Sequence, residues 1–323
     1  MVKANINQPS HSWMFEGRSG IGKATLAYRF IKYILSDENS GRNLEKLEVS
    51  PLDRIHKLIG NQIHPDLTVV ESDTEISADL ARKAISRLYK RPSISNFNVL
   101  LIDGAEKLNR SSANMLLKTL EEPPNHAVII LVCNSSNTLP KTIVSRCRRI
   151  AFSALSHEEI GKILKRIAPD MPENEIGNLA IISNGSVGDA AILYGLDKDA
   201  ADKLALYRSM VKLFSEKASL SRICVEFFAR EIDDAWFFVR IVFPRFFMLP
   251  CNYLIGLEPQ LATNEEYVWL RNINPLTSVQ TAVKAYSTAM SVLSDTEAFD
   301  LDKRASLLIL LNILSEFNKA LLI

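Results

Sequence analysis

The chain of 323 residues carries only four cysteines, Cys133, Cys147, Cys224 and Cys251, and no two of them form a C-x-x-C pair. Scattered single thiols exclude a disulfide framework and a cysteine-based zinc site, and they suit free thiols in a reducing cytoplasm. An excess of one charge is missing too, since 38 Lys and Arg face 37 Asp and Glu for a net charge of +1. No broad basic field draws nucleic acid by itself, so DNA contact has to be local or made through partners. His11, His56, His64, His126 and His157 share no metal-binding spacing and read as structural. The start, MVKANINQPSHSW, lacks the apolar core of a secretory signal. Two apolar stretches near the C-terminus are interrupted, one by Arg240, Pro244, Arg245 and Pro250, the other by Asn312, Glu316 and Lys319. Neither supplies the ~20 mostly apolar residues of a membrane span, and both suit helices buried in a core or against another subunit.

What is present is an ordinary globular composition, 47% apolar and 23% charged, in a chain long enough for two or three domains. Up to residue 152, four apolar runs, SWMFEG, DLTVVES, NVLLID and AVIILVCN, alternate with helical patterns. The pattern after Lys23 places Leu26, Phe30 and Ile34 on one face and predicts a stop near Gly41. A second begins with Ser77 as cap and ends before Pro92; a third has Ser111 or Ser112 as cap and Pro123 and Pro124 as its stop. Strict alternation predicts an α/β domain with a parallel sheet and flanking helices. Beyond RRIAFSAL the pattern turns helical. The expected domains are an α/β phosphate-loop domain (1–153), a small helical domain (154–198) and a larger all-α domain (199–323).

The stretch FEGRSGIGKATLA fits G-x-x-x-x-G-K-[ST] from Gly17 through Gly22 to Lys23, except that Ala24 stands where a hydroxyl holds magnesium. An apolar run leads in and an amphipathic helix follows, so backbone N–H groups at a helix start face an anion. Gly17, Gly20, Gly22 and Lys23 are the candidate phosphate contacts; a ligand-free glycine turn is the plain alternative. NVLLID delivers Asp103 to the carboxyl edge of the sheet, where an aspartate holds magnesium through water or serves simply as a turn former. Gly104 follows, where motors of this type carry the glutamate that polarises water; Glu106 comes two residues later.

The phrase LIDGAEKLNRSSANMLLKTLEEPPNHAVIILVCNSSNTLPKTIVSRCRRI closely resembles the AAA+ clamp-loader subunits of bacterial DNA polymerase III, the delta-prime members among them. HSWMFEGRSGIGKATLAYRF, HPDLTVVE and FDLDKRASLLILLNILSEF look like the same family, so the likeness spans nearly the whole chain. The resemblance implies an AAA+ domain, a helical lid and a helical collar. It implies that Arg146 of the Ser145-Arg146-Cys147 motif is an arginine finger acting in trans on the ATP site of a gamma or tau neighbour. It makes Asn134 a sensor of the γ-phosphate, although an Asn ending a strand is also a good turn residue.

Against that family the chain departs at Ala24, at Gly104 and at Asp189, which stands where the motors carry a second-sensor arginine. Thr25 lies about 100° around the helix from position 24 and is expected to face elsewhere. Only ten residues precede HSWMFEG, where the family usually adds a segment enclosing the adenine. Residues 36–64 contain no cysteine for the zinc module of many relatives. The expectation is a cytoplasmic, non-hydrolysing delta-prime-like stator that requires no cofactor, with no zinc and with ATP or ADP binding left open. Its partners would be gamma or tau and delta subunits in a five-subunit ring, and indirectly the sliding clamp and primed DNA. Alternatives are an active gamma/tau-type ATPase and an unrelated P-loop kinase.

Overall fold

The computed structural model describes residues 10–37, 43, 47–72, 74–195, 203–216, 221, 222, 224, 225, 232–274, 277–299 and 301–322. The chain divides into two compact units, Met1–Ala154 and Leu155–Ile323.

The first unit runs β1 (Ser12–Glu16), α1 (Lys23–Leu35), α2 (Arg54–Gly60), β2 (Leu67–Glu71), α3 (Ala78–Leu88), β3 (Asn98–Asp103), α4 (Arg110–Glu121), β4 (Ala127–Cys133), α5 (Lys141–Val144) and β5 (Arg148–Ala151). All strand pairs are parallel, in the order β2-β3-β4-β1-β5. The three central strands β3, β4 and β1 are covered on both faces, so they read as unbroken apolar runs rather than as alternations. The alternation survives in which face each side chain serves. Trp13, Phe15, Val99, Leu101, Val128 and Ile130 pack with Ala27, Phe30 and Ile31 of α1. Met14, Leu100, Ile102, Ile129 and Leu131 pack with Ala84 and Leu88 of α3 and Leu116 and Leu120 of α4. This is the parallel three-layer arrangement expected from the alternating runs.

Boundaries differ in three places. The first helix ends at Leu35, with Ser36 already extended at its cap, because the polar Ser36 and Asp37 follow directly after the apolar face ends; Gly41 lies outside the described residues. Asn109, not Ser111 or Ser112, caps α4: its side chain accepts the Ser112 N–H at 2.8 Å, and the Ser112 hydroxyl donates back to the Asn109 carbonyl. The seven-residue α2, capped by Asp53, was not anticipated.

The second unit holds α6 (His157–Ile167), α7 (Glu173–Ile182), α8 (Val187–Tyr194), α9 (Lys203–Ser215), α10 (Ile232–Leu254), α11 (Asn264–Arg271), α12 (Val279–Ala298) and α13 (Lys303–Leu321). One apolar cluster runs through it from Ile160 to Leu322. The boundary expected at 198 lies outside the described residues. Helix α10 continues through Pro244 and Pro250, whose missing N–H groups are offset by burial of Phe243, Phe246, Phe247 and Leu249 around them. Among the described residues, no helix is long and apolar enough to cross a membrane. A fully buried Glu266 accepts hydrogen bonds from Tyr207 Oη and from Arg245, whose Nε is 2.7 Å away. Buried charge is tolerated only in such company.

Candidate functional site

Strand β1 lies between β4 and β5, and the chain leaves its carboxyl end into the glycine loop. That edge is where open α/β sheets bind ligands. Gly17 (φ 153°) has no room for a Cβ, which would meet the Phe152 carbonyl oxygen at 2.7 Å. Gly22 has open space around it but sits at φ 94°, a left-handed turn that starts α1. Gly20 (φ 74°) is also left-handed.

Lys23, 7% exposed, turns its ammonium back into this loop. Nζ donates to the Gly17 carbonyl at 2.5 Å, the Arg18 carbonyl at 2.7 Å and Asn134 Oδ1 at 3.0 Å. An ammonium has three donors, so none is left over for an outside anion without an exchange. Burial lowers the Lys23 pKa, while Glu106, Asp103 and Cys133 oppose the shift. The structure thus brings together Gly17, Gly20, Gly22, Lys23 and Asn134, with Asp103 within electrostatic reach.

Asp103 ends β3 opposite Glu71 of β2. Burial and the neighbouring Glu71 raise its pKa against the pull of Lys23. Gly104 then turns left-handed (φ 80°) into a 3-10 turn, Ala105–Lys107, a conformation that strains any side chain placed there. Glu106, whose direction sequence left open, lies on that turn; of the neighbouring acids it pulls hardest on Lys23, and its Oε2 is buried with no hydrogen-bond partner. Thr25, the hydroxyl residue next to Ala24, is exposed and lies about 100° further around α1. With no hydroxyl at Ala24 and no side chain at Gly104, the residues present do not fit a magnesium-held triphosphate with a water-polarising carboxylate at that position. Among the described residues no group of three or more His, Cys, Asp or Glu side chains is placed to hold a metal ion.

Glu16, which sequence reasoning missed, braces the carboxyl edge. Its Oε1 accepts the Ser136 N–H at 2.8 Å and its Oε2 accepts from Arg149 Nη2 at 2.6 Å, while Arg149 also donates to the Ser136 hydroxyl. The Ser136 N–H, ahead of Arg149, holds the carboxyl down at about 2. An acidic residue at a strand end looks like a turn former, so its signal was ambiguous.

Ser145, Arg146 and Cys147 follow α5 at the other end of β1. The Ser12 hydroxyl donates to the Arg146 carbonyl at 2.6 Å. Ser12 opens β1 and Glu16 closes it, and four strand steps separate them by about 13 Å. The Arg146 guanidinium meets Glu121 at 2.7 Å and the Thr142 carbonyl at 3.0 Å. Burial pushes the Cys147 thiol up to about 11, so it packs as a protonated core group. Asp189 lies in the second unit, buried in the first turn of α8, where a carboxylate suits the helix dipole.

Residues 2–156 match the family described as DNA polymerase III, delta subunit. The chain is 33% identical over 192 residues to the DNA polymerase III subunit gamma of Buchnera aphidicola subsp. Acyrthosiphon pisum, covering 58% of this chain and 51% of that one. It is 26% identical over 270 residues to the DNA polymerase III subunit delta' of Pseudomonas aeruginosa, covering 82% of this chain and 77% of that one. The chain therefore spans about half the length of the gamma relative and over three quarters of the delta' relative. In fold it resembles a DNA polymerase III gamma-subunit-related protein of Thermotoga maritima, with a TM-score of 0.51 at 16% identity over 98% of each chain.

Proposed function

Since this chain belongs to the clamp-loader subunit family of DNA polymerase III, we propose that it is a non-hydrolysing, delta-prime-like subunit that lends Arg146 to a neighbour's ATP. The observation that carries this reading is the placement of Arg146. Its main chain is pinned at the amino end of β1, while the loop of the same chain leaves the carboxyl end about 13 Å away. A guanidinium presented there serves another subunit's nucleotide better than its own. Always charged and planar, it suits the charge that develops on a transferring phosphoryl group.

The loop supports the other half of the reading. Lys23 is spent on the loop's own carbonyls and on Asn134, Ala24 offers no hydroxyl, and Gly104 offers no carboxylate. In this role the loop keeps the shape of the sheet edge and turns over no ATP. Residues 1–153 supply the AAA+ body, 154–198 a lid and 199–323 a collar. Gamma or tau and delta subunits complete a five-subunit ring that acts on the sliding clamp and primed DNA.

In a reconstituted loader, Arg146→Ala is expected to abolish the DNA-stimulated ATPase of the receiving site, a contribution of about 10³ or more where such fingers act. Unchanged DNA-stimulated turnover would overturn the assignment. The gamma match favours a second reading, an active gamma/tau-type ATPase. Hydrolysis by the isolated chain, abolished by Lys23→Ala, would establish it in place of the first.

A further inference from the structure

Arg146 has a resident partner. Its Nη2 lies 2.7 Å from Oε1 of Glu121, and its Nη1 donates to the Thr142 carbonyl at 3.0 Å. Glu121 is the last residue of α4, which Pro123 and Pro124 keep from continuing. A carboxylate there faces the carbonyl end of the helix dipole, an unfavourable place that a cation laid across it relieves. The Arg146 main chain is fixed by Ser12, so only the side chain is free to swing, and it is 36% exposed against 50% for Glu121. Carboxylate and phosphoryl oxygens occupy the same planar N–H fork of a guanidinium. The two therefore compete for Arg146.

We propose that Glu121 is a parking residue for Arg146, holding the guanidinium against α4 until a neighbour's phosphoryl oxygens displace it. The inference rests on the reading of Arg146 as a finger offered in trans. Glu121 touches no substrate and acts only through Arg146. A half-exposed ion pair of this kind biases an equilibrium by roughly two- to five-fold. Parking at that strength tunes how often the finger is presented and lowers idle turnover in a loosely docked ring, while a well-formed site still wins the arginine.

The test is steady-state ATP hydrolysis by a loader reconstituted from gamma, delta and this chain, with and without primed DNA. The chain is wild type, Glu121→Gln, Glu121→Lys, Arg146→Ala or the Glu121→Gln/Arg146→Ala double variant. Glu121→Gln is expected to raise DNA-free turnover roughly two- to five-fold. Glu121→Lys, which replaces attraction by repulsion, raises it at least as far, and the double variant falls to the level of Arg146→Ala. A gain of rate that requires Arg146 is something a purely structural role of Glu121 does not produce. If Arg146→Ala changes nothing, the finger reading itself fails. If Arg146→Ala lowers turnover while both Glu121 variants, with unchanged melting temperatures, stay at or below wild type, the finger stands and the parking is overturned.

Discussion

Replacing Glu16 by Gln keeps the shape of the side chain and removes its charge. In the folded chain the carboxylate accepts the Ser136 N–H and the Arg149 guanidinium and is held at about 2 instead of 4.5. A carboxyl lowered on folding stabilises fully above its unfolded value, and that stability disappears as pH falls through the folded one. At 1.36 kcal/mol per unit, the drop sets a ceiling of about 3.4 kcal/mol at neutral pH. Arg149 is half exposed and solvent screens its share, which brings the expected figure to about 2 kcal/mol. Linkage removes about a quarter of this by pH 4 and about 60% by pH 3. Urea unfolding of the wild type and of Glu16→Gln is therefore expected to show a gap of about 2 kcal/mol at pH 7, shrinking to under about 1 kcal/mol at pH 3. A gap that stays constant across that range, or one below about 0.5 kcal/mol at pH 7, refutes the assignment of the brace to the charged carboxylate.

Two further substitutions probe buried charge. Lys23→Met keeps the aliphatic stem and strips the three donors that tie Gly17, Arg18 and Asn134, so urea unfolding is expected to show a loss of about 1.5–3 kcal/mol; an unchanged midpoint would mean that the loop does not depend on the ammonium. Glu266→Ala leaves Arg245 and Tyr207 without their shared acceptor in the second unit, and a loss of about 3–5 kcal/mol is expected by thermal or urea unfolding. A loss under about 1 kcal/mol would show that the network relaxes without cost.

How much of this was legible in the sequence depended on the range over which each feature is encoded. Strands β1, β3 and β4 announced themselves because a sheet covered on both faces needs unbroken apolar runs, as in AVIILVC, every residue of which is buried, and edge strand β2 showed through its β-branched TVV. Strand β5, with only four residues and alternating exposure, carries too little pattern to stand out. The caps of α3 and α4 show the limit of local chemistry. Ser77 was the single good cap at its position, whereas Asn109, Ser111 and Ser112 compete within four residues and only the register of the helix on the sheet decides among them.

At the site, spacing revealed which residues form the loop but not what Lys23 does with its donors. That choice depends on Asn134, 111 residues away, brought alongside by the pairing of β1 with β4. The same holds for Glu16 with Arg149, 133 residues apart, and for Arg146 with Glu121. Those partners are chosen by strand order, which no local window contains.

Strand order also imposes a schedule on the making of this protein. The first strand is a central one: β1 pairs only with β4 and β5, so residues 12–16 have no place to go until residues 127–151 exist. From residue 16 to residue 133, synthesis at about 5–20 residues per second takes roughly 6–23 s. Through that interval Trp13, Met14 and Phe15, all fully buried in the end, are without their pairing strands. The glycine loop takes shape only when the wait is over, because the Gly17 N–H is accepted by the carbonyl of Cys133. A nascent chain cut short before β4 has no place to seat its first strand and leaves that apolar run to whatever else will cover it.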